Sequence, residues 1–279
     1  MSVLRLNCGG HLEYEDAGQG QPLVLLHGWS MRRDVFRPQV EGLSQQFRVI
    51  AADLRGHGDS SGFTNGHEFD VLVDDLMELL TSLDLWQVIL IGWSMGAMIA
   101  WGAMQRPGAE RIAGIVSIDM VPRLLNDPDW HHGIRQGSDA TAFETAMQRM
   151  RSDWPKFVQE YVPRLFARDE IAERQDLITT TIGLVDDNDP EAMAQLWGSM
   201  ADQDYRDQIG HLAVPMLVTY GEQSQFYDKV ASEWLVSHAP NATMVGFPKS
   251  GHALQLEESE KFNEEVRKFA ASISNRDDT

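Results

Sequence analysis

"LIGWSMGAM", residues 90–98, decides how this chain is read. Before its glycine-serine core stands Trp86-Gln87-Val88-Ile89-Leu90-Ile91, rich in β-branched side chains and short enough for a buried strand. After it come Ala97-Met98-Ile99-Ala100-Trp101-Gly102-Ala103-Met104, mostly good helix formers. Two glycines thus flank one hydroxyl where a strand hands over to a helix. In that context Gly92-Trp93-Ser94-Met95-Gly96 reads as a nucleophile elbow. The glycines let the helix pack close, and Ser94 is pushed out on a strained turn. The five-residue pattern alone is weak, so the rest of the chain has to supply the partners of a nucleophilic serine.

The same alternation extends outward in both directions. Residues 3–6 and 11–15 read as strands around a Gly9-Gly10 turn. "PLVLLHGW" is an apolar strand ending at His27-Gly28, and "FRVIAADLRGHGDS" a second that runs into a glycine-punctuated loop. Apolar residues at 69, 72, 73, 76, 79, 80 and 83 form a helical stripe, and "RIAGIVSID" is a strand ending at Asp119. Strands alternating with helices predict a mostly parallel sheet covered on both faces. From Met120 to Gly210 no strand pattern is found. There "FVQEYVPRLF" sets Phe157, Val158, Tyr161, Val162, Leu165 and Phe166 on one helical face, with Pro163 as a kink. The β rhythm returns at "VPMLVTYG" (214–221), followed by a helix near 228–238, the strand "ATMVGF" and a helix from about Leu256. The expected organisation is an α/β core formed by residues 1–119 and 211–279, interrupted over 120–210 by a helical cap longer than ordinary connections.

Composition narrows the function classes. The 279 residues include 42 acidic and 23 basic side chains, a net charge of −19 that repels phosphate backbones and anionic lipid. Nucleic-acid and membrane partners are therefore not expected, and the acidity reads as solubility. Cys8 stands alone, which rules out an internal disulfide or a thiolate metal cluster. The opening residues lack the apolar stretch of a signal peptide, and no run approaches the ~20 apolar residues of a membrane span. The expectation is a soluble cytoplasmic protein acting on a small molecule.

A serine hydroxyl attacks poorly until a base takes its proton. Of the nine histidines, His252 is the best placed, in a Pro-Lys-Ser-Gly-His loop after the last strand and before the last helix. In open α/β sheets such strand ends form the ligand-binding edge. An attacked carbonyl also needs donors for its developing oxyanion. The backbone N–H of Met95, next after the nucleophile, is one. The N–H of Trp29, where His27-Gly28-Trp29 leaves the sheet, is the other. Trp93 and Trp29 flank these donors, so at least one is expected to wall an apolar, aromatic pocket, and the cap adds Trp130, Phe143, Trp154, Phe157, Tyr161 and Trp197, most of them as packing. No acidic or histidine partner recurs at ligand spacing near His131-His132, so no metal is expected.

Taken together, "LLHGW" (25–29), "DLRGHGDS" (53–60), "GWSMG" (92–96) and "SGHALQLEES" (250–259) resemble the α/β-hydrolase superfamily over nearly the whole chain. The resemblance implies Ser94 as nucleophile, His252 as base and the Trp29 and Met95 amides as oxyanion hole. It implies that His27 organises its loop and lies beside the substrate. In most relatives the triad acid follows the strand corresponding to "MLVTYG", three residues beyond the glycine. That position here is Ser224, which cannot supply a charge. Asp119 ranks first as the substitute, because some relatives carry the acid at that strand end; its alternative duty there is to begin the lid loop. Asp228 and Glu222 rank next, and a site without an acid remains open. Asp53 and His57 are expected to hold a turn beside the site.

The reading is a cofactor-independent serine hydrolase of a small, mostly apolar carboxylic ester or lactone. Two rivals share the fold. One is a cofactor-free dioxygenase using the histidine–acid pair on a heteroaromatic substrate, and the other is a ligand receptor without turnover.

Overall fold

In the computed structural model, which describes residues 1–63, 66–135 and 139–277, the apolar runs of the sequence lie side by side in an eight-stranded sheet. Strands β1 (Ser2–Arg5) and β2 (His11–Ala17) make the expected hairpin, with Gly9 at φ +94° in its turn. There follow β3 (Pro22–Leu26), α1 (Arg37–Leu43), β4 (Arg48–Ala52), α2 (Phe69–Ser82), β5 (Val88–Trp93), α3 (Met95–Ala103) and β6 (Ile112–Ile118). Next come α4 (Ala140–Ser152), α5 (Trp154–Tyr161), α6 (Gln175–Val185), α7 (Pro190–Ala201) and α8 (Arg206–Ile209). The α/β rhythm resumes with β7 (Met216–Gly221), α9 (Lys229–His238), β8 (Ala242–Phe247), α10 (Leu254–Glu257) and α11 (Ser259–Asp277).

Strand order is β1-β2-β4-β3-β5-β6-β7-β8; the first two pairings are antiparallel and all later ones parallel. Parallel strands covered on both faces have no polar side, which is why β5 is buried at every residue. The parallel arrangement also brings the carboxyl ends of β3, β5, β6, β7 and β8 to one edge. Trp29, Ser94, Asp119, Ser224 and His252 sit on the loops that leave this edge.

Between β6 and β7 the chain first runs irregularly, and its first helix starts only at Ala140, where the Asp139 carboxylate accepts from Ala142 N–H. Pro163 acts as the pattern predicts: α5 stops at Tyr161 and a single 3-10 turn, Val162–Leu165, follows. Val158, Val162, Leu165 and Phe166 are buried, so the apolar stripe faces inward. Two backbone–backbone hydrogen bonds and one to a carboxylate fasten this helical segment to the chain at the same sheet edge. Arg135 N–H donates to Phe226 O (2.8 Å), Ala253 N–H to Leu165 O (2.8 Å), and Ala167 N–H to Glu257 Oε1 (2.8 Å). Among the described residues no helix is long and apolar enough to cross a membrane.

Candidate active site

Ser94 joins β5 to α3 with φ +54° and ψ −117°, a conformation an L-residue adopts only under strain. The flanking glycines explain how the turn closes. A Cβ on Gly96 would overlap the Leu26 carbonyl oxygen, and one on Gly92 would overlap the Gly96 carbonyl. Either side chain would push α3 off the sheet. The Ser94 hydroxyl is only partly buried and lies 3.9 Å from Met120 Sδ. Met95 occupies the first helical position, so its N–H has no carbonyl within α3 to bond.

The loop after β3 runs close beside this turn. A Cβ on Gly28 would stand 3.4 Å from Ser94 Cβ, which brings the Trp29 backbone alongside the serine. Two buried histidines hold the loop in place. His27 Nδ1–H donates to Gly28 O (2.8 Å) while Nε2 accepts from Leu54 N–H (2.9 Å). His57 Nδ1–H donates to Arg55 O (2.9 Å) and Nε2 accepts from Ser30 N–H (3.1 Å). The expected place of His27 beside the substrate is thus corrected: the ring has no exposed surface, and backbone groups occupy both its nitrogens. Asp53 and His57 hold the turn as expected. Asp53 accepts from Arg33 N–H (2.7 Å) and Asp59 N–H (2.8 Å) and pairs with the Arg33 guanidinium.

A ring nitrogen that accepts a hydrogen bond cannot also carry a proton, so the fold needs both histidines neutral. Burial pushes His27 down to about 4, and burial together with the neighbouring His27 holds His57 well below its ordinary value. The unfolded chain therefore binds more protons than the native one between about pH 4 and pH 6.5, and stability should fall as pH drops through that window. Urea midpoints taken across it should show the decline, with a shallower slope in His27→Gln. Equal slopes in the two proteins would contradict this account.

His252 lies in the loop after β8. Its Nδ1 is 2.7 Å from Asp119 Oδ2, and both side chains are 3% exposed. Asp119 ends β6 at φ +43°, its N–H bonded to Thr219 O (2.8 Å). The same Oδ2 accepts from Ser224 Oγ–H (2.7 Å), and Oδ1 accepts from Gly221 N–H (3.3 Å). Ser224, where relatives are expected to carry the acid, thus donates a hydrogen bond to the carboxylate that meets the histidine. The other two carboxylates point elsewhere. Asp228 pairs with Arg135 (3.2 Å) at the surface, and Glu222 lies beside Gly246.

Trp93 requires a second correction. It was expected to wall the pocket, but it is buried behind His252, donating its indole N–H to His252 O (2.8 Å). The last residue of a strand points to one face or the other according to the pleat, and Trp93 points into the protein. The aromatic wall comes from Trp29, from cap aromatics among those the sequence offers, and from Phe226 and Tyr227, which the sequence reading does not single out. Phe226 and Tyr227 lie tilted against the His252 ring at centroid distances of 4.8 and 5.7 Å. Tyr227 O–H donates to Met120 Sδ (3.2 Å). The adjacent aromatic pair in "QFYD", immediately after β7, was the available signal.

Outside these rings lies a cavity of about 400 Å³ whose walls include Trp29, Phe143, Phe157, Tyr161, Trp197 and Phe226. Ser94 and His252 are not in its lining; Trp29, which follows Gly28, and Phe226, 4.8 Å from the His252 ring, connect it to them. Tyr161 sits edge-on to both Trp29 and Phe226, at 5.4 and 6.0 Å. Among the described residues no cluster of three or more His, Cys, Asp or Glu side chains is placed to hold a metal.

Comparison with known proteins agrees with this fold. The family model described as the alpha/beta hydrolase fold matches residues 21–259. A pimeloyl-[acyl-carrier protein] methyl ester esterase of Vibrio campbellii is 30% identical over 94% of this chain and 99% of its own. A bromoperoxidase structure from Bacillus anthracis superposes with a TM-score of 0.89 at 25% identity, covering 96% of this chain and 98% of that one. A thermophilic esterase from Thermogutta terrifontis, solved with malate bound, gives 0.85 at 26% identity over 98% of each chain. With the elbow, the sheet order and a matched span of this length, the chain belongs to the α/β hydrolase fold family.

Proposed function

We propose that the protein is a serine hydrolase of small, mostly apolar carboxylic esters or lactones, with the helical segment 120–210 acting as a cap over the reacting groups. The observation that carries the reading is the Asp119 carboxylate 2.7 Å from His252 Nδ1, at the sheet edge where the strained Ser94 turn projects its hydroxyl. Asp119 holds the Nδ1–H tautomer, which leaves Nε2 as the base. In the substrate complex Ser94 Oγ–H turns from Met120 towards that nitrogen, since such contacts close only when substrate is bound. Oγ attacks the carbonyl carbon while Nε2 takes the proton. The oxyanion accepts from the Trp29 and Met95 N–H groups, and Nε2–H passes its proton to the departing alkoxide. Water, deprotonated by the same nitrogen, then releases the acid and restores Ser94.

The cap supplies apolar walls and excludes water, and the named esterases among the relatives support ester chemistry. A panel of p-nitrophenyl esters, lactones and hydroxyquinolones tests the reading. Hydrolysis of a short ester or lactone is expected, with an acyl adduct at Ser94 seen by mass spectrometry. Oxygen uptake on a hydroxyquinolone with no ester turnover would replace the hydrolase by a dioxygenase.

A further inference from the structure

We propose that Arg164 anchors a carboxylate on the substrate, so that the preferred ester is one carrying a free carboxylate remote from its scissile bond; this rests on the hydrolase reading above. Three arginines line the cavity, and two are already satisfied. Arg135 donates to Ser224 O (3.1 Å) and pairs with Asp228, while Arg149 pairs with Glu160. The one acid in the wall, Asp139, is engaged at the start of α4. Arg164 is different. Among the described residues it has neither an ion pair nor a hydrogen bond, and it packs its guanidinium 5.0 Å from the centroid of the Phe226 ring.

A half-buried guanidinium with no anion and no hydrogen bond is a cost to the fold, because burial disfavours its charge and the face of one aromatic ring repays only part of the lost hydration. Scarcity of acids does not explain it, since the chain has 42 acidic residues for 23 basic ones. A ligand anion explains it. Position supports the same conclusion. The Phe226 ring touches both groups, its centroid 5.0 Å from the Arg164 guanidinium and 4.8 Å from the His252 ring, so the cation lies within one aromatic ring of the base. A short hydrocarbon chain spans that interval along the apolar wall of Trp29 and Tyr161. The anion is a carboxylate rather than a phosphate. One fork-shaped cation matches one planar monoanion in a bidentate pair, whereas a dianion calls for a second free cation, and the other two arginines are taken.

The test uses the whole protein and monomethyl succinate, glutarate and adipate, each against a neutral methyl ester of equal length ending in isopropyl. In the wild type the best half-ester should exceed its neutral counterpart in kcat/KM by at least about tenfold. Arg164→Gln should collapse that ratio by about ten- to a hundredfold, the range for a charged hydrogen bond, and Arg164→Lys should keep part of it. A wild-type ratio of one or less overturns the assignment, as does a ratio that survives Arg164→Gln while both rates fall. Preference for a phosphate-ended ester overturns the choice of anion. If no ester is turned over, the hydrolase reading fails separately, and calorimetry decides the site. Monomethyl glutarate should bind the wild type at least about tenfold more tightly than the neutral methyl ester of equal length ending in isopropyl, and Arg164→Gln should abolish the difference. Equal binding overturns the proposal.

Discussion

Asp119→Asn is expected to lower kcat by roughly 10³–10⁴-fold with little change in the unfolding midpoint, because an amide in that place favours the wrong imidazole tautomer and leaves the cation formed during attack uncompensated. The prediction can be sharpened by the neighbour at 224. Ser224 Oγ already lies 2.7 Å from Asp119 Oδ2, so a carboxylate on residue 224 reaches nearly the same space. Asp119→Asn/Ser224→Asp should therefore recover at least about tenfold over the single variant. Asp228→Asn, which removes a surface ion pair, should leave kcat within about twofold. Full activity in Asp119→Asn would show that the carboxylate serves the start of the loop after β6 and not the reaction.

Ser94→Ala should remove labelling by an organophosphonate and reduce ester turnover by about 10⁵–10⁶-fold. A second substitution separates chemistry from backbone strain. At φ +54° any side chain is held against its preference, at a cost of roughly 1–3 kcal/mol. Ser94→Gly should be as inactive as Ser94→Ala yet more stable than it by about 1 kcal/mol, the relief exceeding glycine's loss of freedom on folding. Equal stability of the two variants would mean that the turn stores no strain. Phosphonate labelling that persists in both would place the nucleophile at another residue.

The sequence carried the sheet because its signals are local. Each parallel strand is a short, mostly apolar run, and four of the carboxyl ends are marked by glycine or aspartate at 28, 92, 119 and 221. The meeting of Asp119 with His252, 133 residues apart, was legible only through topology: β6 and β8 flank β7, and parallel pairing brings their ends to one edge. Direction was not legible. Trp93 and His27 adjoin reactive positions in sequence, yet both turn inward, since proximity along a strand does not say which face a side chain takes. Partners were not legible either. The apolar stripe of α5 foretold burial of Val158 and Val162, but nothing in "VPRLF" distinguishes Arg164 from an arginine paired at the surface.

The bonds that fasten the helical segment to the sheet edge limit how freely this chain can be recombined with its relatives. Arg135 and Leu165 each bond through the main chain to a loop that carries part of the reacting group, near Phe226 and next to His252. A chimera that exchanges the whole of 120–210 for the equivalent stretch of a relative keeps every residue at 94, 119 and 252, but it replaces the partners that set where two of those loops lie. Crossovers placed after Arg135 and before Val162 exchange only α4 and α5. They alter the aromatic wall while the Arg135–Phe226 and Leu165–Ala253 bonds stay native. Substrate range in such proteins is therefore expected to be portable in short pieces and lost in long ones.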